Sequence, residues 1–193
     1  MKKILITGFE PFGDESINSS WEAVLRLADR IGEFDVVRLL LPVSFKDVAN
    51  TVIKVANEIA PDIILCIGQA GGRCAITPEL VAINLRYASI PDNCGYMPKD
   101  EQVILGGKEA CFSTIPARHI AEAISAAGIS STLSYSAGAY VCNDVFYTLL
   151  SHFEGSKTSV GFIHVPYCKE QGKEPNMEIY DIVRGLTVAI ENL

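Results

Sequence analysis

Three short apolar runs, with helix-period stretches between them, set the frame for this chain. Lys3–Thr7, Asp35–Val43 and Asp62–Gly68 are continuous enough to be buried strands. Between the first two, apolar residues at Trp21, Val24, Leu25, Leu27 and Ala28 follow helical spacing, with Ser19 or Ser20 expected as N-cap. Between the second and third, Phe45, Val48, Val52, Val55, Ala56 and Ile59 recur at steps of three and four, closed by Pro61. Strand, helix, strand, helix, strand implies parallel pairing with right-handed crossovers. The expected class is α/β, with a mostly parallel sheet.

The second half is less regular. Val81–Tyr87 reads as a strand, and Ile90–Asp100 as an irregular stretch with two Pro, a Gly and an Asn. Pro116–Ala127 reads as a helix ending at Gly128, and Thr132–Ser136 as a strand. Val141–His152 is expected as a helix, Val160–Val165 as a strand and Met177–Asn192 as a final helix. No repeat, low-complexity tract or linker interrupts the 193 residues, so one domain accounts for the whole chain.

Charge and cysteine usage narrow the function classes. The net charge of -7, without clustered Lys or Arg, argues against a nucleic-acid footprint. The apolar run after Lys2-Lys3 stops at Gly8, too short for a secretory core or a membrane span, so a cytoplasmic address is expected and no membrane partner. Reduced thiols are therefore expected for Cys66, Cys74, Cys94, Cys111, Cys142 and Cys168. There is no Cys-x-x-Cys pair, and His119, His152 and His164 are scattered, so no metal site is expected.

In open α/β sheets, ligands bind beyond the carboxyl ends of the strands. Four segments leave strands there: the loop after Thr7, the loop after Gly68, the turn before Cys142 and the end of the His164 strand. Cys142 stands where small residues give way to a helix start. Unpaired N–H groups there favour a thiolate and can hold an oxyanion. The competing reading is a small buried core thiol, which is also the reading for Cys66 and Cys111. His164 ends Val160-Gly161-Phe162-Ile163-His164, a position from which an imidazole can reach a neighbouring helix start. His152 is about ten residues along the Cys142 helix, ~15 Å away, and too far to serve. Glu79 interrupts a mostly apolar approach to a strand, either as a third member that orients the imidazole or as a surface acid. Gly8-Phe9-Glu10-Pro11-Phe12-Gly13 lacks the Lys-Ser/Thr ending of a phosphate loop, and its two Phe either line an apolar pocket or tuck into the core.

Read together, these segments resemble the pyroglutamyl peptidase I, or pyrrolidone-carboxylate peptidase, family of cysteine peptidases. The likeness runs almost end to end. It rests on Gly8–Gly13; Gly68-Gln69-Ala70-Gly71-Gly72-Arg73; Ile76-Thr77-Pro78-Glu79; Val81-Ala82-Ile83-Asn84; Ile90-Pro91-Asp92-Asn93; Ser136-Ala137-Gly138 through Val141-Cys142-Asn143; and Gly161–Pro166. It implies a single peptidase domain over residues 1–193, a three-layer α/β/α sandwich around a mostly parallel twisted sheet. It implies a triad of Glu79, Cys142 and His164, and removal of N-terminal pyroglutamate from peptides through a thioacyl-enzyme. In that scheme His164 keeps Cys142 as thiolate and later protonates the leaving amine. The lactam ring is expected against Phe9, Phe12 and Tyr140, with Gln69, Ile90 and Val141 at other pocket positions. No cofactor is implied, and a homotetramer is.

The chain departs from the family pattern in places. Ser89 stands where many members have Arg, a residue thought to help stabilise the oxyanion, with Arg86 as candidate substitute. Leu80 replaces a usual basic residue, Tyr140 a usual Phe and Ser19 a usual Pro. Two rival readings follow: a related hydrolase acting on another small cyclic amide or ester, and a non-catalytic binder of N-capped peptides.

Overall fold

The computed structural model describes residues 2–193. Strand β1 (Lys2–Phe9) lies between β3 (Phe34–Leu41) and β4 (Ile63–Gln69), and β8 (Ser159–Val165) lies beyond β4, all in parallel register. Short antiparallel strands β2 (Arg30–Ile31) and β5 (Thr77–Pro78) finish the two edges, giving the order β2-β3-β1-β4-β8-β5. The sheet is mostly parallel, as the alternation of elements implied.

Side chains alternate across a strand, and here both faces are apolar. Ile4, Ile6, Ile63, Leu65, Ile67, Ile163 and Val165 point to one layer, and Leu5, Ile64, Cys66, Val160 and Phe162 to the other. Helices α1 (Ser19–Leu25), α3 (Ala117–Ala126) and α5 (Ile179–Glu191) cover the first face. Helices α2 (Val48–Ile59) and α4 (Val141–His152) cover the second. Each large apolar side chain so buried contributes about 1.5–3 kcal/mol before ordering entropy is subtracted. Among the described residues, no helix is long and apolar enough to cross a membrane.

Several boundaries differ from the sequence reading, each for a local reason. The N-cap of α1 is Asn18, whose Oδ1 accepts the Ser20 N–H at 3.0 Å; Ser19 and Ser20 are buried inside the first turn. Helix α2 starts at Val48 because the Phe45 N–H is taken by Asp92 Oδ2 and its ring packs edge-on against Tyr96 and Tyr140. The strand expected over Val81–Tyr87 is only β6 (Val81–Ile83), paired with β7 (Ala110–Phe112) in a separate ribbon. The Asn84 side chain ends it by exchanging two hydrogen bonds with the Ile104 backbone. Thr132–Ser136 is not a strand: only Ser134 forms an isolated bridge, to Glu79, and Pro78, which accepts the Ser134 N–H, has no N–H with which to extend the ladder. Met177 falls in β10 (Asn176–Met177), paired with β9 (Tyr167–Cys168), so the final helix begins at Ile179.

Candidate active site

Chain order reverses between β1 and β4: from β1 the chain moves to β3 on one side, and β4 leads to β8 on the other. Their carboxyl ends open onto a cavity of about 510 Å³, the position at which such sheets take ligands. The four segments singled out in the sequence meet there. Phe9 and Phe12 follow β1, Gln69 and Arg73 follow β4, Tyr140, Val141 and Cys142 open α4, and His164 comes from β8.

Cys142 is the second residue of α4. The first backbone bond of the helix runs from the Asp144 N–H to Tyr140 O at 3.1 Å, and no side chain caps the turn. Among the described residues, the N–H groups of Val141, Cys142 and Asn143 therefore have no acceptor and are available to an oxyanion. Two buried side chains fix this end of the helix. Asn143 accepts the Ile83 N–H at 2.9 Å and donates to Ile83 O and Leu85 O, while Asp144 pairs with the Arg86 guanidinium. Neither role was legible in the sequence, where Asn143 and Asp144 look like ordinary first-turn polar residues.

His164 is in register with Gly68 on one side and Thr77 on the other. The Cys142 sulfur lies over Gly68, since a Cβ there would be 3.0 Å from Sγ. Thiol and imidazole thus flank the same bare stretch of backbone. His164 Nδ1 bonds Glu79 Oε1 at 2.7 Å, and both side chains are almost completely buried. A carboxylate oxygen only accepts, so Nδ1 carries the proton and Nε2 keeps its lone pair. Burial alone would raise the Glu79 carboxyl, but the hydrogen bond and charge of His164, with Ser134 and Arg73, outweigh it and hold the group below the ordinary carboxylate range. Burial, with Arg73 in support, lowers the His164 imidazole despite Glu79.

Two opposing influences act on the thiol expected as a thiolate. Burial pushes Cys142 up to about 12, with Cys66 and Glu79 adding and Arg73 opposing. The side chain is half-buried and sits at the positive end of α4, which acts in the opposite direction and favours the thiolate. With Nδ1 bonded to Glu79, the His164 ring presents Nε2 as an acceptor. Cys66 is fully buried in β4 and is pushed up to about 12 by burial, and Cys111 is half-buried near Ser151; all six cysteines are free. His152 and His119 are exposed, away from the cavity.

Gln69 is oriented from behind. The Ser19 N–H donates to its Oε1 at 2.9 Å, which fixes that atom as the oxygen and leaves the amide NH2 for the cavity, while the Ser19 hydroxyl donates to Pro166 O at 2.7 Å. The sequence marked Ser19 as an N-cap candidate and as a replacement for Pro, a residue that has no N–H to give. Ile90 is 46% exposed and lines an adjoining hollow that shares Phe12, rather than the Cys142 cavity itself. Ser89 is exposed and does not line the cavity. Arg86 does not take the place of the missing guanidinium: Asp144 holds its side chain and Glu101 its backbone. The guanidinium that does line the cavity is Arg73, which the sequence reading left without a role.

A family model for pyroglutamyl peptidase matches residues 2–193. A pyrrolidone-carboxylate peptidase of Staphylococcus aureus is 48% identical, over 97% of this chain and 92% of that protein. One from Thermococcus onnurineus is 44% identical, over 98% and 97%. The crystal structure of pyroglutamyl peptidase I from Bacillus amyloliquefaciens superposes with a TM-score of 0.95 at 41% identity, covering 100% of this chain and 96% of that one. The pyrrolidone carboxyl peptidase of Thermococcus litoralis does so at 0.94 and 37%, covering 99% and 92%. Matched by the family model over residues 2–193 and by relatives more than 40% identical along nearly its whole length, this chain belongs to the pyroglutamyl peptidase family of cysteine peptidases.

Proposed function

We propose that this chain, as one peptidase domain over residues 1–193, removes N-terminal pyroglutamate from peptides, with Cys142 as nucleophile, His164 as base and then acid, and Glu79 holding the imidazole. The observation that carries this reading is the half-buried Cys142 thiol at the uncapped start of α4, sharing a cavity with His164, whose imidazole is bonded to the buried Glu79 behind it.

The steps follow from the geometry. Sγ attacks the pyroglutamyl carbonyl carbon as His164 Nε2 takes the thiol proton. The oxyanion is held by the free N–H groups at the start of α4. The intermediate collapses by breaking the C–N bond, and Nε2 returns its proton to the leaving amine. Water then attacks the thioester with His164 again as base, freeing pyroglutamate and restoring the thiol. Glu79 keeps Nδ1 protonated throughout, so that Nε2 remains the working nitrogen.

A pyroglutamyl ring has two methylene edges, one N–H and one C=O. Phe9, Phe12, Tyr140 and Val141 form apolar walls for the edges, and the Gln69 amide donates to the lactam oxygen. Tyr140 is held by its hydroxyl, which donates to Pro91 O at 3.0 Å. Ile90 extends the apolar surface past Phe12. The homotetramer and cytoplasmic address remain part of this proposal, and exposed Leu105, Phe112 and Tyr180 offer apolar surface to subunit contacts.

A fluorogenic pyroglutamyl amide compared with the matching prolyl and alanyl amides tests the reading. Release from the pyroglutamyl compound, at least about a hundredfold faster than from prolyl, is expected because the prolyl ring leaves the buried Gln69 amide unpaired. Equal rates on all three would defeat it.

A further inference from the structure

Arg73 lines the cavity yet takes no part in the chemistry just described. It follows Gly71-Gly72 in the loop between β4 and β5, where Gly72 adopts a φ of 87°, a turn conformation open to glycine. That turn sends the Arg73 side chain inward instead of out to solvent, and it is 29% exposed.

Its guanidinium reaches three elements. Nη1 donates to Glu79 Oε1 at 2.6 Å and to Thr77 Oγ1 at 2.5 Å, and Nη2 donates to Ser136 O at 3.0 Å. A longer contact, 3.4 Å, reaches Ser134 Oγ. Thr77 belongs to β5, which pairs with the His164 strand, and Ser136 belongs to the loop that leads into Cys142. One planar fork therefore joins the acid, the strand paired with that of the base, and the approach to the nucleophile. A lysine ammonium cannot reproduce this planar arrangement.

The acid needs such a partner. Glu79 is fully buried, and its Oε1 accepts from both Arg73 and His164, while Oε2 has no hydrogen-bond partner among the described residues. The orientation of the carboxylate thus rests on a single oxygen. Without Arg73, the buried carboxylate would lose its one charged clamp and be held by the imidazole with only the neutral Ser134 hydroxyl beside it.

We propose that Arg73 is a positioning residue for the reaction, clamping Glu79 against His164 and tying the Ser134–Gly138 loop to that carboxylate. The proposal rests on the assignment of Glu79, His164 and Cys142 made above. It has an electrostatic consequence as well as a geometric one. The guanidinium charge opposes protonation of His164, so the imidazole stays a neutral base at lower pH than it otherwise would.

The test compares wild type with Arg73→Met and Arg73→Lys by NMR titration of the His164 ring and by the pH profile of kcat/KM on a pyroglutamyl amide. In Arg73→Met the His164 titration and the acid limb of kcat/KM should move together to higher pH, with kcat reduced about tenfold or more. Arg73→Lys should leave both near their wild-type positions and recover only part of kcat. Loss of activity in Arg73→Met with an unmoved titration and limb would reduce Arg73 to a structural tie and overturn the proposal, as would wild-type rates. Should Arg73→Met not fold, Arg73→Gln, which removes the charge but keeps a donor, gives the same reading. The titration needs no substrate. A wild type that titrates as expected but releases no pyroglutamate would therefore count against the proposed function and not against the clamp.

Discussion

The Cys142 sulfur rests against Gly68: a Cβ at that position would lie 3.0 Å from Sγ and 2.7 Å from the Phe162 ring. Neither neighbour can retreat easily, because Phe162 is fully buried between Phe9 and Phe146 and Cys142 is fixed in the first turn of α4. Gly68→Ala should therefore displace the thiol, lowering kcat/KM at least tenfold and costing about 1–3 kcal/mol of stability by overpacking. Steady-state kinetics beside a thermal melt measure both; an unchanged kcat/KM would mean that the thiol is not held where it lies.

Removing the charge from Glu79 should be more damaging to rate than to folding. Glu79→Gln leaves a group that can donate as well as accept, so the imidazole is no longer held as the Nδ1–H tautomer. Analogous changes in other acyl-transfer triads cost about 10⁴-fold in kcat, and a loss of about 10²- to 10⁴-fold is expected here. A variant within a few-fold of wild type would show that Glu79 does not set the tautomer.

Both members of the buried pair make the protein sensitive to acid, and in the same direction. His164 is lowered from 6.5 in the fold, so the folded state binds its proton less readily than the unfolded chain, and stability falls as pH drops below about 6.5 through the folded value. Glu79 is lowered from 4.5, so its contribution is fully present above that value and is lost as pH falls through its own folded value. Activity, which needs the neutral imidazole, should hold down to a pH below 6.5 and then decline. Because burial pushes the Cys142 thiol up to about 12, no fall is expected between pH 7 and 9. A bell with both limbs in the neutral range would instead indicate a resting thiolate–imidazolium pair.

Gln69 should act on binding more than on rate. Ser19→Ala keeps the backbone N–H that holds the amide oxygen but removes the hydroxyl that donates to Pro166 O at 2.7 Å and packs 3.2 Å from Gln69 Oε1. KM for a pyroglutamyl amide should rise a few-fold with kcat little changed. Gln69→Glu, which places a carboxylate against the lactam oxygen, should raise KM by an order of magnitude or more. If both variants kept wild-type KM, the ring would have to be read by other groups.

Much of this arrangement was legible in the chain because the signals were local. Continuous apolar runs gave the parallel strands, and the resemblance of short segments located Glu79, Cys142 and His164. Features that depend on contacts between distant residues were not legible. The two-residue strand Thr77–Pro78 is too short for periodicity to register, yet it places Glu79 beside His164. Ser19 and Gln69 are fifty positions apart and meet only because α1 packs over the ends of β4 and β8. Arg73 reads as a surface residue in a glycine loop until Glu79 is seen to be buried beneath it. The resting state of Cys142 was also hidden, since a helix start favours the thiolate while the packed surroundings disfavour it.

The central claim is that the acyl group passes through Cys142. Acid-quenching the enzyme during turnover of a pyroglutamyl ester, then measuring intact mass and mapping the peptides, tests it most directly. One pyroglutamyl group per chain is predicted, on the peptide containing Cys142, and none in Cys142→Ala, which should also lose turnover. Turnover by Cys142→Ala, or an acyl group carried on any other residue, would contradict it.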